Sequence, residues 1–147
     1  MNCKDMKKIL LATIGLLISL GMAFAQQQPL SPEEKAKKLD EFIQKQVERL
    51  ESTLKLEDWQ TFYADSILNH DYHALQDELD ALTEAKVSNT ALYTQASDKW
   101  ADKIYDSMHK ILNEEQWAKY LKGGAAREKK ARDKRKEKLE ETNAKLK

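Results

Sequence analysis

The sequence predicts an all-α protein, and three observations carry that prediction. From Glu33 to Lys122 the chain holds neither Gly nor Pro, so it lacks the turn residues that a small β domain needs. Both Pro, at 29 and 32, stand before that stretch, and the Gly123-Gly124 pair follows it. Within it, apolar residues recur at steps of three and four, the period of a helix with one buried face.

Residues 1–25 read as a secretory signal peptide. Lys4, Lys7 and Lys8 form a positive leading segment, Ile9 to Gly21 is an uncharged apolar run, and Ala23-Phe24-Ala25 is a small-x-small cleavage site. The run is shorter than the roughly 20 residues that span a bilayer. Cleavage after Ala25 would leave Gln26 first and remove Cys3, the one Cys of the chain. Periplasmic export is the expectation, with no disulfide and no thiol chemistry in the mature protein. Residues 26–31 follow as a short linker.

Ser31-Pro32-Glu33-Glu34 is a helix start, with Ser outside, Pro at the first position and acids in the first turn. Ala36, Leu39, Ile43, Val47, Leu50 and Leu54 then mark one stripe, predicting a helix over about 32–53. A second helix is expected from near Glu57 to about Ala85. Its apolar face is read as Trp59, Phe62, Tyr63, Ile67, Leu68, Tyr72, Leu75, Leu79 and Leu82. Lys86 to Thr90 is the expected break, rich in β-branched and capping residues. The third helix, about 90–111, carries Leu92, Ala96, Trp100, Ile104, Met108 and Ile111. Asn113 opens a fourth, with Trp117, Tyr120 and Leu121.

The helical domain is therefore expected over 32–122. Residues 123–147 form a charged tail, rich in helix formers but without an apolar face, hence a solvated helix outside the core. Four helices with thin stripes fit an open, hairpin-like antiparallel layer or a core shared by two chains. A homodimer is the preferred reading, because so small an apolar content is marginal alone.

The formal net charge of zero is a sum over unlike parts. Residues 26–121 hold 11 Lys+Arg against 19 Asp+Glu, whereas residues 122–147 hold 11 against 5. Such a tail would suit nucleic acid in a cytosolic protein. Export removes that partner and leaves an anionic membrane surface, an acidic protein, the chain's own acidic body, or simple solubility.

Catalytic patterns are missing: there is no Gly-rich phosphate loop, no GxSxG and no HExxH. An enzyme is not expected, nor is a cofactor. His70 and His73 lie three apart, with Asp77 four further on, a spacing that can share a zinc. Two histidines among acids on a solvated helix are more simply ordinary surface residues.

One pattern occurs twice. Leu56-Glu57-Asp58-Trp59-Gln60 and Leu112-Asn113-Glu114-Glu115-Gln116 are both Leu-x-x-x-Gln, and each opens a helix after an apolar stripe. In the second, Asn113 can accept from the backbone at Gln116 while Gln116 reaches back, a capping box, with Leu112 packed across the turn. With this repeat, residues 33–122 resemble the Spy/CpxP family, whose signature is a twice-occurring Leu-Thr-x-x-Gln. Here Glu57 and Asn113 stand in place of the two Thr. The resemblance implies a curved four-helix antiparallel dimer in the periplasm. It also implies either ATP-independent chaperone action on unfolded or envelope polypeptides or a dampening of envelope-stress signalling. A related branch is associated with zinc, so the alternatives are a regulatory or metal-responsive periplasmic binding protein of the same fold, or a purely structural helical envelope protein. The acidic body departs from the basic cradle expected for such a chaperone. Apolar and aromatic side chains would then do more of the holding. Trp59, Phe62, Tyr63, Trp100, Trp117 and Tyr120 are the candidate client contacts, though the same residues could equally form a core.

Overall fold

A computed structural model describes residues 31–145. The expected signal segment, its cleavage site and all but the last residue of the linker lie outside the described residues. The chain divides into two units, residues 1–36 and 37–147. Of the first, only residues 31–36, at the start of the first helix, are described.

The described chain is helical and contains no strand. Helix α1 spans Pro32–Leu54, α2 Asp58–Glu84, α3 Thr90–Ile111 and α4 Glu114–Tyr120. A π-type turn, Leu121–Ala125, joins α4 to α5, Ala126–Lys145. The four expected helices are present, and the tail is a fifth.

Local chemistry sets the boundaries. In the first unit, Ser31 Oγ accepts from the Glu34 N–H at 3.2 Å, and Glu34 Oε2 accepts from the Ser31 N–H at 2.9 Å. This capping box holds α1 open at Pro32. At the other end of α1, Lys55 takes φ 56°, and Lys86 takes φ 53° after α2. Both lysines occupy the left-handed position that glycine usually fills after a helix. The Val87 N–H then donates to Leu82 O at 3.0 Å and the Lys86 N–H to Thr83 O at 2.9 Å, satisfying the last carbonyls of α2. That is how the chain turns without Gly. Asn89 caps α3, its side chain accepting from the Ala91 N–H at 3.0 Å.

Helices α1 and α2 run antiparallel, as do α2 and α3. Phe42 meets Tyr72 edge to face at 5.2 Å, and Asp40 accepts from His73 Nε2 at 2.9 Å. Between α2 and α3, Glu78 Oε2 accepts from Trp100 Nε1 at 2.7 Å and from Lys99. The core is built from Ile43, Val47 and Leu54 of α1, Ala64 and Leu68 of α2, and Ile104 and Met108 of α3, with Leu112 beyond. Trp117 and Tyr120 of α4 pack on its edge.

Two expectations change. The buried residues of α2 are Gln60, Ala64, Leu68 and Asp71, with Ile67 and Tyr72 of the expected stripe packed on the core, whereas its Trp59, Phe62 and Tyr63 are exposed. Ala64 permits close helix approach, and Gln60 is held inward by hydrogen bonds to Gln116 and to Ile111 O. The tail, expected to be solvated with no face to bury, returns to α3. Arg135 donates from Nε and Nη2 to both oxygens of Asp98, at 2.7 and 2.6 Å. Arg132, only 8 % exposed, donates to Asp102 Oδ1 at 2.8 Å. The face that α5 turns to α3 is thus a charged one, with Arg132 buried and Arg135 exposed, and it is made by forked donors and their apolar stems. Gly124, at φ 124° and ψ −17°, supplies the bend that brings α5 back.

Candidate functional site

The two copies of Leu-x-x-x-Gln meet. Gln60 and Gln116, 2 % and 6 % exposed, face each other at the starts of α2 and α4. Gln60 Nε2 donates to Gln116 Oε1 at 2.7 Å, and Gln116 Nε2 donates to Gln60 Oε1 at 2.8 Å. Each amide completes its set with backbone of the two helix junctions. Gln60 Nε2 donates to Ile111 O at 2.8 Å, and Gln116 Nε2 donates to Lys55 O at 3.3 Å. The Glu57 N–H donates to Gln60 Oε1 at 2.9 Å, and the Asn113 N–H to Gln116 Oε1 at 3.0 Å. Every donor and acceptor position of both amides is therefore filled. The arrangement is nearly two-fold: each Gln reaches the carbonyl five residues before its partner. Two carbonyls left over at the ends of α1 and α3 are satisfied in the same step.

Asn113 and Gln116 form the expected capping box, with the Gln116 N–H donating to Asn113 Oδ1 at 2.9 Å. Leu112 is buried in the core, and Leu56 packs against it half-buried. Glu57 Oε2 accepts from Trp59 Nε1 at 2.8 Å.

Because Gln60 points inward, its neighbours point out. Trp59, Phe62 and Tyr63 are 50 %, 67 % and 51 % exposed. They contact one another edge to face, Trp59 with Tyr63 at 6.2 Å and Phe62 with Tyr63 at 5.7 Å. Exposed Asp58 and half-buried Asp65 accompany them on α2. The result is a small aromatic surface on an acidic helix start.

The other candidate aromatics are engaged. Trp100 bonds Glu78, lies 4.0 Å beneath Lys103 Nζ, and meets the His70 ring at 6.2 Å. Hydrogen bonds from Lys99 and Trp100 hold the Glu78 carboxyl below its ordinary range. Trp117 stacks between His109 at 4.3 Å and Tyr120 at 5.4 Å. Burial raises the Tyr120 hydroxyl above its ordinary range.

His70 and His73 turn to different carboxylates. His70 Nδ1 pairs with buried Asp71 at 2.7 Å, and His73 Nε2 with Asp40 at 2.9 Å. Asp77 is exposed and joins neither. Among the described residues, no three His, Cys, Asp or Glu gather where they could hold a metal ion. Among the same residues, no helix is long and apolar enough to cross a membrane.

Sequence reading recognised both glutamines as helix-start residues but not as partners of each other. The usable signal was the matching offset, since a Gln repeated at the same helix position has the same backbone donor behind it. The opposite charges of tail and body made the chain's own acidic body one candidate partner of the tail, but no local signal marked Arg132 and Arg135 or their partners Asp102 and Asp98. What stands assembled is an all-α scaffold with a buried amide pair and an exposed aromatic surface. Comparison with family models, with characterised proteins and with solved structures returns no match for this chain.

Proposed function

We propose that the protein is an exported, ATP-independent chaperone or envelope-stress protein of the Spy/CpxP kind, binding apolar segments of unfolded or envelope polypeptides. The observation that carries this reading is the exposure of Trp59, Phe62 and Tyr63 side by side. Exposed apolar side chains scattered singly need no explanation, but three contiguous aromatics on one short helix segment mark a contact surface. Aromatic rings supply large apolar area at low conformational cost. Their edge-to-face contacts keep the three rings together without burying them.

The acidic surroundings select among clients. Glu57, Asp58 and Asp65 favour apolar segments flanked by Lys or Arg, and they would repel acidic ones. Binding of this kind needs no nucleotide: release follows from weak, multi-ring contact as a client buries its own apolar residues. Export through residues 1–25 and pairing of two copies belong to the same reading.

The test is suppression of aggregation. The purified protein is mixed with a reduced, unfolding protein and light scattering is followed. The expected result is protection by the wild type and its loss in Trp59→Ala/Phe62→Ala/Tyr63→Ala, with helicity unchanged because all three side chains are exposed. No protection at several-fold excess of wild type ends the proposal.

A further inference from the structure

A second feature lies away from the aromatic surface. Where the Gly123-Gly124 turn brings α5 back, a cleft of about 380 Å3 opens between α1, α3 and that turn. This is within the roughly 300–1,000 Å3 range of small-molecule sites. Four cations line it, Arg49, Lys119, Arg127 and Arg132, against a single acid, Glu128. Arg127 and Arg132 come from the basic tail, whereas Arg49 and Lys119 come from residues 26–121, which carry 11 Lys+Arg against 19 Asp+Glu.

The cations are not equivalent. Lys119 pairs with Glu115, Arg127 with Glu128 and Arg132 with Asp102. Arg49 forms no ion pair with any described residue. One uncommitted guanidinium in a positive cleft suits a ligand with one negative charge, and its planar fork matches a carboxylate. The remaining wall is mostly apolar and aromatic, with Leu50, Ile104 and the rings of Tyr72, Tyr105 and Tyr120, and carries the polar side chains of Gln46 and Thr53 as well. Neither Tyr72 nor Tyr120 makes a side-chain hydrogen bond to another described residue. Burial raises both hydroxyls above their ordinary range, so they remain protonated donors through neutral pH.

We propose that this cleft binds an amphipathic organic monoanion, a carboxylate with an aliphatic or aromatic body, with Arg49 holding the charge. Arg127 and Arg132 belong to α5, so the cleft is complete only while the tail is docked. A ligand that binds the docked form alone favours docking. Occupancy therefore tightens α5 on α3.

The experiment uses the full chain and three probes: decanoate, decanol and inorganic phosphate. Binding is read by calorimetry and by tryptophan fluorescence in Trp59→Phe/Trp100→Phe, which keeps Trp117, stacked on Tyr120, as its one tryptophan. Saturable one-to-one binding of decanoate is expected, with decanol and phosphate at least about tenfold weaker. Arg49→Gln should weaken decanoate about tenfold, while Phe62→Ala, on the separate aromatic surface, leaves it unchanged. Bound decanoate should also slow tryptic cutting within α5. The proposal is overturned if decanoate shows no saturable binding, if phosphate or decanol binds as tightly, or if Arg49→Gln has no effect. Loss of binding in Phe62→Ala also overturns it, by moving the ligand to the aromatic surface. Chaperone activity enters none of these readouts.

Discussion

Two of the long-range polar contacts among the described residues are built on opposite plans. Gln60 and Gln116 join the starts of α2 and α4 through neutral amides that are almost fully buried. Helix α5 is joined to α3 through Asp98–Arg135 and Asp102–Arg132, with Lys129 3.9 Å from Asp102. The amide pair sits beside the apolar core, whereas no α5 residue belongs to that core. A buried, fully satisfied amide network gains strength from its low dielectric surroundings and is indifferent to salt and pH. The exposed Arg135 pair contributes little and is screened by salt, and the Arg132 pair, with its guanidinium covered but Asp102 partly exposed, is screened less. The body is therefore expected to behave as one cooperative unit, with the tail as an element of lower stability that opens first.

The largest effect is expected from breaking the amide pair. Gln116→Leu leaves Gln60 with half its hydrogen bonds and strips Lys55 O and the Asn113 N–H of their partner. About 3 kcal/mol of stability should be lost, since each buried polar group left unsatisfied costs about 1–3 kcal/mol. Gln60→Leu/Gln116→Leu should cost clearly less than the two single changes summed, because each single variant strands the other amide. Urea denaturation gives all three values. A loss below about 1 kcal/mol for the single variant would mean that water already reaches the pair.

The tail is broken by a gentler change. At Gly124, φ is 124°, a conformation that side-chain-bearing residues rarely adopt, although a Cβ there would meet no atom within 4 Å. Gly123 carries no such constraint and also has open space. Gly124→Ala should therefore cost about 1–3 kcal/mol of local strain, expressed as undocking of α5 rather than unfolding of the body. Gly123→Ala should leave docking intact. Salt should act on the same joint. Moving to 1 M NaCl shortens the screening length to about 3 Å and should speed tryptic cutting within α5. The urea midpoint of the body should stay nearly constant. Equal salt sensitivity in Gln116→Leu and wild-type cleavage would fit; a body midpoint that falls with salt would erase the distinction.

The same division explains what sequence reading could reach. Capping residues announce helix starts, so Ser31 and Asn113 place α1 and α4, and the expected third helix coincides with Thr90–Ile111. These are local effects, decided within one helical turn. The rotation of α2 is not local. Its strongest apolar signal is Trp59, Phe62 and Tyr63, yet Gln60 and Ala64 face the core, because a partner amide 56 residues away fixes the facing. The return of α5 depends on pairs 30 and 37 residues apart. A charged stretch carries no periodic mark that distinguishes a docked face from a solvated one. Lys55 and Lys86 hide two turns for a related reason, since a left-handed lysine looks like any other.

Acid offers the finest separation of neutral from charged joints, within the body itself. Glu78 ties α2 to α3 through Lys99 and the Trp100 indole, and these hydrogen bonds lower its pKa from 4.5. A carboxyl whose pKa is lower in the folded state contributes stability at pH above 4.5, and loses it as pH falls through the lowered folded value. Its side chain is 35 % exposed, so solvent screening keeps the contribution small. The Trp100 indole N–H resonance should therefore shift as pH falls below 4.5, while the side-chain amide resonances of Gln60 and Gln116 stay in place. In Glu78→Gln the Trp100 shift should vanish. Its persistence in that variant would assign the acid response to another group. Amide resonances that move together with Trp100 would show that the neutral and charged joints open as one.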